Sequence, residues 1–280
     1  MVETSKRVQE HYSSVDLADR IIGLTGVSRD ALTVAALEPF DHMHLRGSKA
    51  SREMVEALAP GADWHVVDVG AGICGPARMA VAATGCQVTA LDLSDDFCAC
   101  ATELNRLVGL QDRIAVRQGD ALAMPFADAT FDGAITHHAA MNISDKAALY
   151  REIARVLKPG GRFVLYDVMR GPGEEPYYPV PWATTSEISF LATPEDVRGH
   201  LAAAGFAERD WQSLRQETLD WMAAVKAARE AAAAAGDGTA PGNTGSVLMG
   251  ASGPEKIRNV ARNLGQDRIT VVMGIFEKDA

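Results

Sequence analysis

The sequence predicts an α/β fold. The expected form is a Rossmann-like, seven-stranded, mostly parallel sheet with helices on both faces. Three observations predict it. Short apolar runs at 64–69, 87–92, 113–118, 131–136 and 161–168 alternate with helical patterns, as in a parallel sheet covered on both sides. The first run, Val66-Val67-Asp68-Val69, ends in the glycine-rich turn Gly70-Ala71-Gly72-Ile73-Cys74-Gly75, the usual entry to a helix that binds a nucleoside cofactor. The chain has 280 residues, 47% of them apolar, enough to bury one large core.

The elements follow in order. Residues 1–60 read as a helical lid. Val8, Tyr12, Leu17, Ile21 and Ile22 recur near helical spacing, and Ser48 to Leu58 form a further helix. Residues 61–213 form the core, with an amphipathic helix over 145–157 and a Pro159-Gly160-Gly161 turn before the fifth strand. The stretch 171–182 is too rich in proline for a helix or a central strand and reads as a loop over the mouth of the site. Thr193 caps a helix over 194–204, with Pro194 in its first turn. Strands near 206–212 and 268–277 complete the sheet. Between them lies an insertion, 214–267, with an Ala-rich helix over 214–235. Ser213 and Gln216 have the spacing of a capping box for that helix. Gly236 to Gly253 read as a polar loop, and 268–280 supply the final strand.

The turn carries the chemistry. Glycines at 70, 72 and 75 lack the Cβ that would keep a ligand off the backbone. Asp92, which ends the second strand, can accept two hydrogen bonds from a ribose diol. Dinucleotide sites share this glycine spacing. S-adenosylmethionine is favoured by Asp68, placed to meet an ammonium, and by the absence of a basic residue in the turn. Gly119-Asp120-Ala121 after the third strand and the Pro-Gly-Gly turn also favour it.

At these residues, over roughly 62–212, the chain resembles the class I S-adenosylmethionine-dependent methyltransferases. The resemblance implies that Asp68, Gly70 and Gly72 line the methionine part, Asp92 holds the ribose and Leu93 lies beside the adenine. It further implies that Asp120 and Ala121 contact the adenine edge and that His137 sits near the sulfonium. Outside the core the chain resembles the small-molecule branch that includes sarcosine/dimethylglycine-type N-methyltransferases. The matching stretches are Gln9-Glu10-His11-Tyr12, Phe40-Asp41-His42-Met43-His44, Thr136 to Ile143 and the Tyr177, Tyr178, Trp182 loop. That resemblance implies that Tyr12 and the Phe-Asp-His segment cover the cofactor.

The implied activity is methyl transfer to a small molecule, with nitrogen favoured over oxygen or carbon. A hydroxyl acceptor would benefit from a base. His138 is the first candidate and His42 the second, because histidine titrates near neutrality. Asn142 could orient the acceptor. His44, Tyr177, Tyr178 and Trp182 are the expected acceptor-side residues. No metal is expected, because His42 and His44, two apart, could both ligate only from an extended segment.

A net charge of −10 argues against a nucleic-acid substrate. No run of 18 apolar residues exists to span a membrane. Four cysteines without metal spacing and the absence of a signal-peptide core suit a reduced, cytoplasmic protein, which could pair as a homodimer. Two rival readings are an NAD-dependent oxidoreductase and a catalytically idle S-adenosylmethionine-binding protein.

Overall fold

The computed structural model describes residue 7, residue 11, residues 16–234 and residues 249–279. The apolar runs fold as β1 (His65–Val69), β2 (Gln87–Asp92), β3 (Ile114–Gln118), β4 (Phe131–His137), β5 (Leu157–Arg170), β6 (Phe206–Ser213) and β7 (Ile269–Lys278). They form one sheet in the order β3-β2-β1-β4-β5-β7-β6. All neighbours are parallel except β7, which runs antiparallel to both β5 and β6. Six expected strands lie within one residue of their observed bounds. β5 is longer because Leu157 already pairs with Phe131, before the Pro-Gly-Gly turn shifts the register to Gly133 and Arg162.

The helices are α1 (Leu17–Thr25), α2 (Val34–Asp41), α3 (Gly47–Leu58), α4 (Gly75–Thr84), α5 (Asp95–Leu107), α6 (Lys146–Val156), α7 (Pro194–Ala203), α8 (Arg215–Ala234) and α9 (Gly253–Gly265). Local chemistry fixes their starts. Ser94 caps α5 through Phe97 N, and Asp145 caps α6 through Ala148 N. Thr193 and Asp196 form a full capping box on α7. The box expected from Ser213 and Gln216 does not form. Ser213 stays in β6 against Thr270, and Gln216 reaches forward to Asp220. Strand pairing of Ser213 with Val272 wins over the cap.

Two apolar layers sandwich the sheet. Strand residues alternate between them, as a period of two requires. Val66, Ile135, Val164 and Val168 face one layer with α3, α4 and α9. Val67, Ala134, Phe163 and Leu165 face the other with α6 and α7. The same alternation puts Asp68, His137 and Tyr166 on the first face, at the carboxyl ends of β1, β4 and β5. His137 is in register with Tyr166.

The helical segment before the sheet is tied down by a buried ion pair. Arg78 Nε and Nη2 donate to the Asp41 carboxylate at 2.9 and 2.5 Å, Nη1 donates to Asn105 Oδ1 at 2.7 Å, and Nη2 also reaches Ile73 O at 2.6 Å. Arg78 has no exposed surface and Asp41 has almost none. Breaking a buried pair by removing one partner costs about 3–5 kcal/mol. We expect Asp41→Ala to lose stability on this scale in urea unfolding. Asp41→Ala/Arg78→Met should recover part of the loss. Equal losses in single and double variants would show that the pair does not hold the segment.

Candidate active site

The glycine turn closes on β2. Gly70 N and Ala71 N both donate to Leu91 O, at 2.8 and 3.0 Å. The Asp92 carboxylate accepts from Gly72 N at 2.7 Å and from Ser94 N at 2.9 Å. Asp92 therefore shapes the turn and opens α5. Burial raises its pKa, and the backbone N–H groups pull it back.

The three glycines have different reasons. A Cβ on Gly72 (φ +53°) would meet nothing within 4 Å, so this residue faces open space. A Cβ on Gly70 (φ +76°) would lie 2.4 Å from Ala139 Cβ, and one on Gly75 would lie 2.2 Å from Asp41 O. Gly70 and Gly75 thus serve close approach of the protein to itself. The expectation that all three clear room for a ligand is corrected to Gly72.

Asp68 lies beneath this turn, 1% exposed. Its Oδ2 has no hydrogen-bond partner. Burial first, and the charge of Asp92 second, raise its pKa to about 7. On the neighbouring strand ends, Gln118 donates to Leu93 O at 3.1 Å. The Asp120 carboxylate accepts from Leu122 N at 2.9 Å, with Ala121 half-buried between them.

Three expected histidines meet at the end of β4. The His44 ring stacks on His137 with centroids 3.6 Å apart, and His138 meets both edge-on at 5.4 and 5.3 Å. Tyr166 stacks on His138 at 5.2 Å and donates to Leu45 O. His138 takes a left-handed backbone (φ +53°), held by its N–H to Tyr166 O at 2.9 Å. His44 Nδ1, both ring nitrogens of His137 and His138 Nε2 are buried without hydrogen-bond partners. Burial drives the pKa of His44 and His137 well down and that of His138 to about 3. These rings are neutral walls at neutral pH. A group that holds protons so weakly is a poor general base, which weakens the role expected for His138. His42 pairs elsewhere, its Nδ1 2.9 Å from Ser51 Oγ. Tyr166 was missed by sequence reasoning. Its alternation with Val164 and Val168 on an apolar strand was the available signal.

The remaining expected residues divide. Asn142 Nδ2 donates to Trp182 O and Ile188 O at 2.8 and 2.9 Å, so this amide group clamps two loops together. Trp182 is 2% exposed and packs in the core, with Nε1 donating to Ser189 Oγ. Tyr177 is sandwiched between the Arg262 and Arg268 guanidinium groups, 3.5 and 4.1 Å from its ring centre. Tyr178 is half-buried against the first apolar layer. His11 Nε2 lies 3.0 Å from Pro181 O, which brings the start of the chain to this loop. Tyr12 and most of the expected 236–253 loop lie outside the described residues. Among the described residues, no group of three His, Cys, Asp or Glu could hold a metal ion. No helix there is long and apolar enough to cross a membrane.

Comparison with known proteins agrees with this arrangement. The methyltransferase domain family matches residues 67–165. The 24-methylenesterol C-methyltransferase 2 of Oryza sativa subsp. japonica is 36% identical over 125 residues, 44% of this chain and 34% of the relative. The matches to it and to three further curated relatives span between 27% and 44% of those proteins' own lengths. Among solved structures, geranyl diphosphate C-methyltransferase from Streptomyces coelicolor A3(2) superposes with a TM-score of 0.71. It is 17% identical, over 99% of this chain and 98% of the other. A putative sarcosine dimethylglycine methyltransferase from Galdieria sulphuraria gives 0.62 at 20% identity, over 82% and 83%. Residues 67–165 thus match the methyltransferase domain family, in a sheet with the fold shared by these solved structures.

Proposed function

We propose that the chain is an S-adenosylmethionine-dependent methyltransferase that acts on a small molecule, with nitrogen as the favoured acceptor atom. The observation that carries this reading is Asp68. It leaves a carboxylate oxygen buried and unpartnered just before the glycine turn. Such a group is costly unless something completes it. An α-ammonium would do so, and the open space at Gly72 leaves room for the molecule that carries it. Asp68 with the Gly70 to Gly72 backbone would hold the methionine end. Asp92 would take the ribose, since each of its oxygens keeps a lone pair after the two backbone bonds. Leu93, Asp120 and Ala121 would line the adenine. When bound, S-adenosylmethionine supplies a methyl group already activated on a sulfonium.

The protein's share is then to orient the acceptor and exclude water. The segment that carries His42 and His44, together with the 177–190 loop, is placed to do both. Nitrogen is favoured by the neutral histidine walls. A neutral amine attacks through its lone pair and needs no base. Burial disfavours its protonated form, as it does those of His44, His137 and His138.

Calorimetry with S-adenosylhomocysteine and with NAD tests the reading directly. We expect micromolar affinity for the first and none for the second, and the reverse would overturn it. Gly72→Asn should abolish binding with the fold retained, because Asn tolerates the left-handed backbone and its side chain enters the open space. Gly70→Val should unfold the turn, because Ala139 already fills that position.

Asp68 generates a pH prediction. Its folded pKa, about 7, exceeds the ordinary 3.8. The folded protein therefore binds this proton more tightly than the unfolded chain does. Stability from this group is greatest below pH 4 and falls as pH rises toward 7, by up to about 4 kcal/mol. Asp68→Asn should thus stabilise the ligand-free protein at pH 8, with the gain shrinking toward pH 4, while it weakens S-adenosylhomocysteine binding. Wild-type affinity should fall as pH drops below 7. Melting curves and titrations at pH 5 and 8 read both effects, and an Asp68→Asn variant that binds normally would remove Asp68 from the site.

His138→Gln separates the acceptor classes. Turnover of a metabolite extract with methyl-labelled cofactor should fall less than about tenfold. A loss of roughly 100- to 10,000-fold would restore His138 as a base and point to a hydroxyl.

A further inference from the structure

The turn that follows β4 is held from both sides by buried, oppositely charged side chains. The Lys146 ammonium, on the first turn of α6, donates to Ala140 O at 2.8 Å, to Ile143 O and to Phe190 O at 2.6 Å. An ammonium has three donors, and three carbonyls take them. Asp167 on β5 accepts from Val168 N at 2.9 Å, and its carboxylate lies close enough to the backbone N–H groups of Ala140 and Met141 for them to lower its pKa. Ala140 therefore gives its C=O to the ammonium and lies beside the carboxylate. Lys146 is 7% exposed and Asp167 4%. Neither is needed for the sheet or for the capping of α6, which Asp145 performs.

What the staple fixes lies between the two halves of the site. On one side, Ala139 rests on Gly70, where a Cβ would come within 2.4 Å. On the other side, Phe190 N donates to Met141 O at 2.8 Å, and Asn142 holds the carbonyls of Trp182 and Ile188. We propose that Lys146 and Asp167 are positioning residues, which lock the 139–143 turn so that the glycine turn and the acceptor-side loop 182–190 keep a fixed separation. This inference rests on the methyltransferase reading for its purpose and for the binding arm of its test, but not for the amide-exchange arm. Methyl transfer needs its two reactants held to within fractions of an ångström, and a polar turn without this staple would be free to shift.

The test compares Lys146→Met, Lys146→Arg and a control. Arg is the conservative replacement because it keeps the charge and several donors, and a cavity lined by Ser144, Lys146 and Phe190 adjoins this residue. The control is Val260→Ala, a cavity variant of an apolar core residue in α9, which has no part in the charged staple and is destabilising in its own right. Each is measured well below its melting temperature. We expect Lys146→Met to weaken S-adenosylhomocysteine binding about tenfold and to speed amide exchange at 139–143 and 188–190 at least tenfold. Lys146→Arg should stay within about threefold of wild type in both, and Val260→Ala should change neither. Equal behaviour of Lys146→Met and Val260→Ala would overturn the proposal, since the lysine would then be ordinary structure. If Lys146→Met does not fold, the wild-type protein decides. Ala140 and Met141 amides should exchange at least a hundredfold more slowly than an open loop, and loop-like rates would overturn the staple. Failure of wild type to bind S-adenosylhomocysteine would instead count against the proposed function and leave the exchange result standing.

Discussion

Arg78 is fully buried, and its four hydrogen bonds hold the helical segment before the sheet against the cofactor turn. One guanidinium joins the end of α2, the glycine turn at Ile73 and the last turn of α5. Because Asp41 is its partner, the next residues, His42 to Arg46, are delivered over the carboxyl ends of β4 and β5. Gly75 is the steric condition for this, since any Cβ there would strike Asp41 O. A charge buried this deeply would be a liability alone. Its geometry, with both carboxylate oxygens and four of the five guanidinium donors engaged, is what makes the arrangement tenable. The position of His44 against His137, and hence the shape of the acceptor side, follows from that contact.

Asp68 is the opposite case, a buried acid that the chain leaves incomplete. Its neighbours on the same sheet face are Asp92 and the neutral histidines, and none of them neutralises it. Stability is given up at the point where the proposed function would have a cationic group received, a usual place for a fold to carry strain. By contrast, Lys146 and Asp167 are buried charges whose polar atoms are nearly all satisfied by backbone. The same desolvation acts on all three, raising the acids and lowering the lysine. What differs is whether the protein supplies the partners.

Much of this was legible in the sequence, for reasons that can be stated. Strands 87–92 and 131–136 could be read because the core selects apolar runs of that length between helices. The Thr193 cap could be read because capping is local. The sites that eluded sequence reasoning depend on contacts far apart in the chain. Tyr177 looked like a pocket aromatic, but Arg262 and Arg268, some 90 residues later, hold its ring. Asn142 looked like an acceptor ligand, but carbonyls 40 and 46 residues away take its amide. Ser213 and Gln216 had the spacing of a cap, but strand pairing with β7 outweighed it. Gly75 fitted a ligand-binding pattern, yet its neighbour is Asp41.

The distribution of charge across the site is informative about its chemistry. At the cofactor end, Asp68, Asp92 and Asp120 gather at the tips of three adjacent parallel strands. Parallel pairing brings these acids to one end of the sheet, because Asp68 and Asp92 lie in the last two residues of β1 and β2 and Asp120 follows β3. On the neighbouring strands, His44, His137, His138 and Tyr166 are packed so tightly that none can carry charge cheaply. In the proposed function, cation recognition and neutral acceptor binding would therefore be separated by one strand spacing, between β1 and β4. A sulfonium held at that boundary would face carboxylates behind and uncharged rings ahead. Transfer of its methyl group moves positive charge from the cofactor to the acceptor. Neutral walls do not oppose that shift as a row of protonated histidines would. Keeping the histidines neutral is thus a more coherent use of their burial than holding one of them as a base.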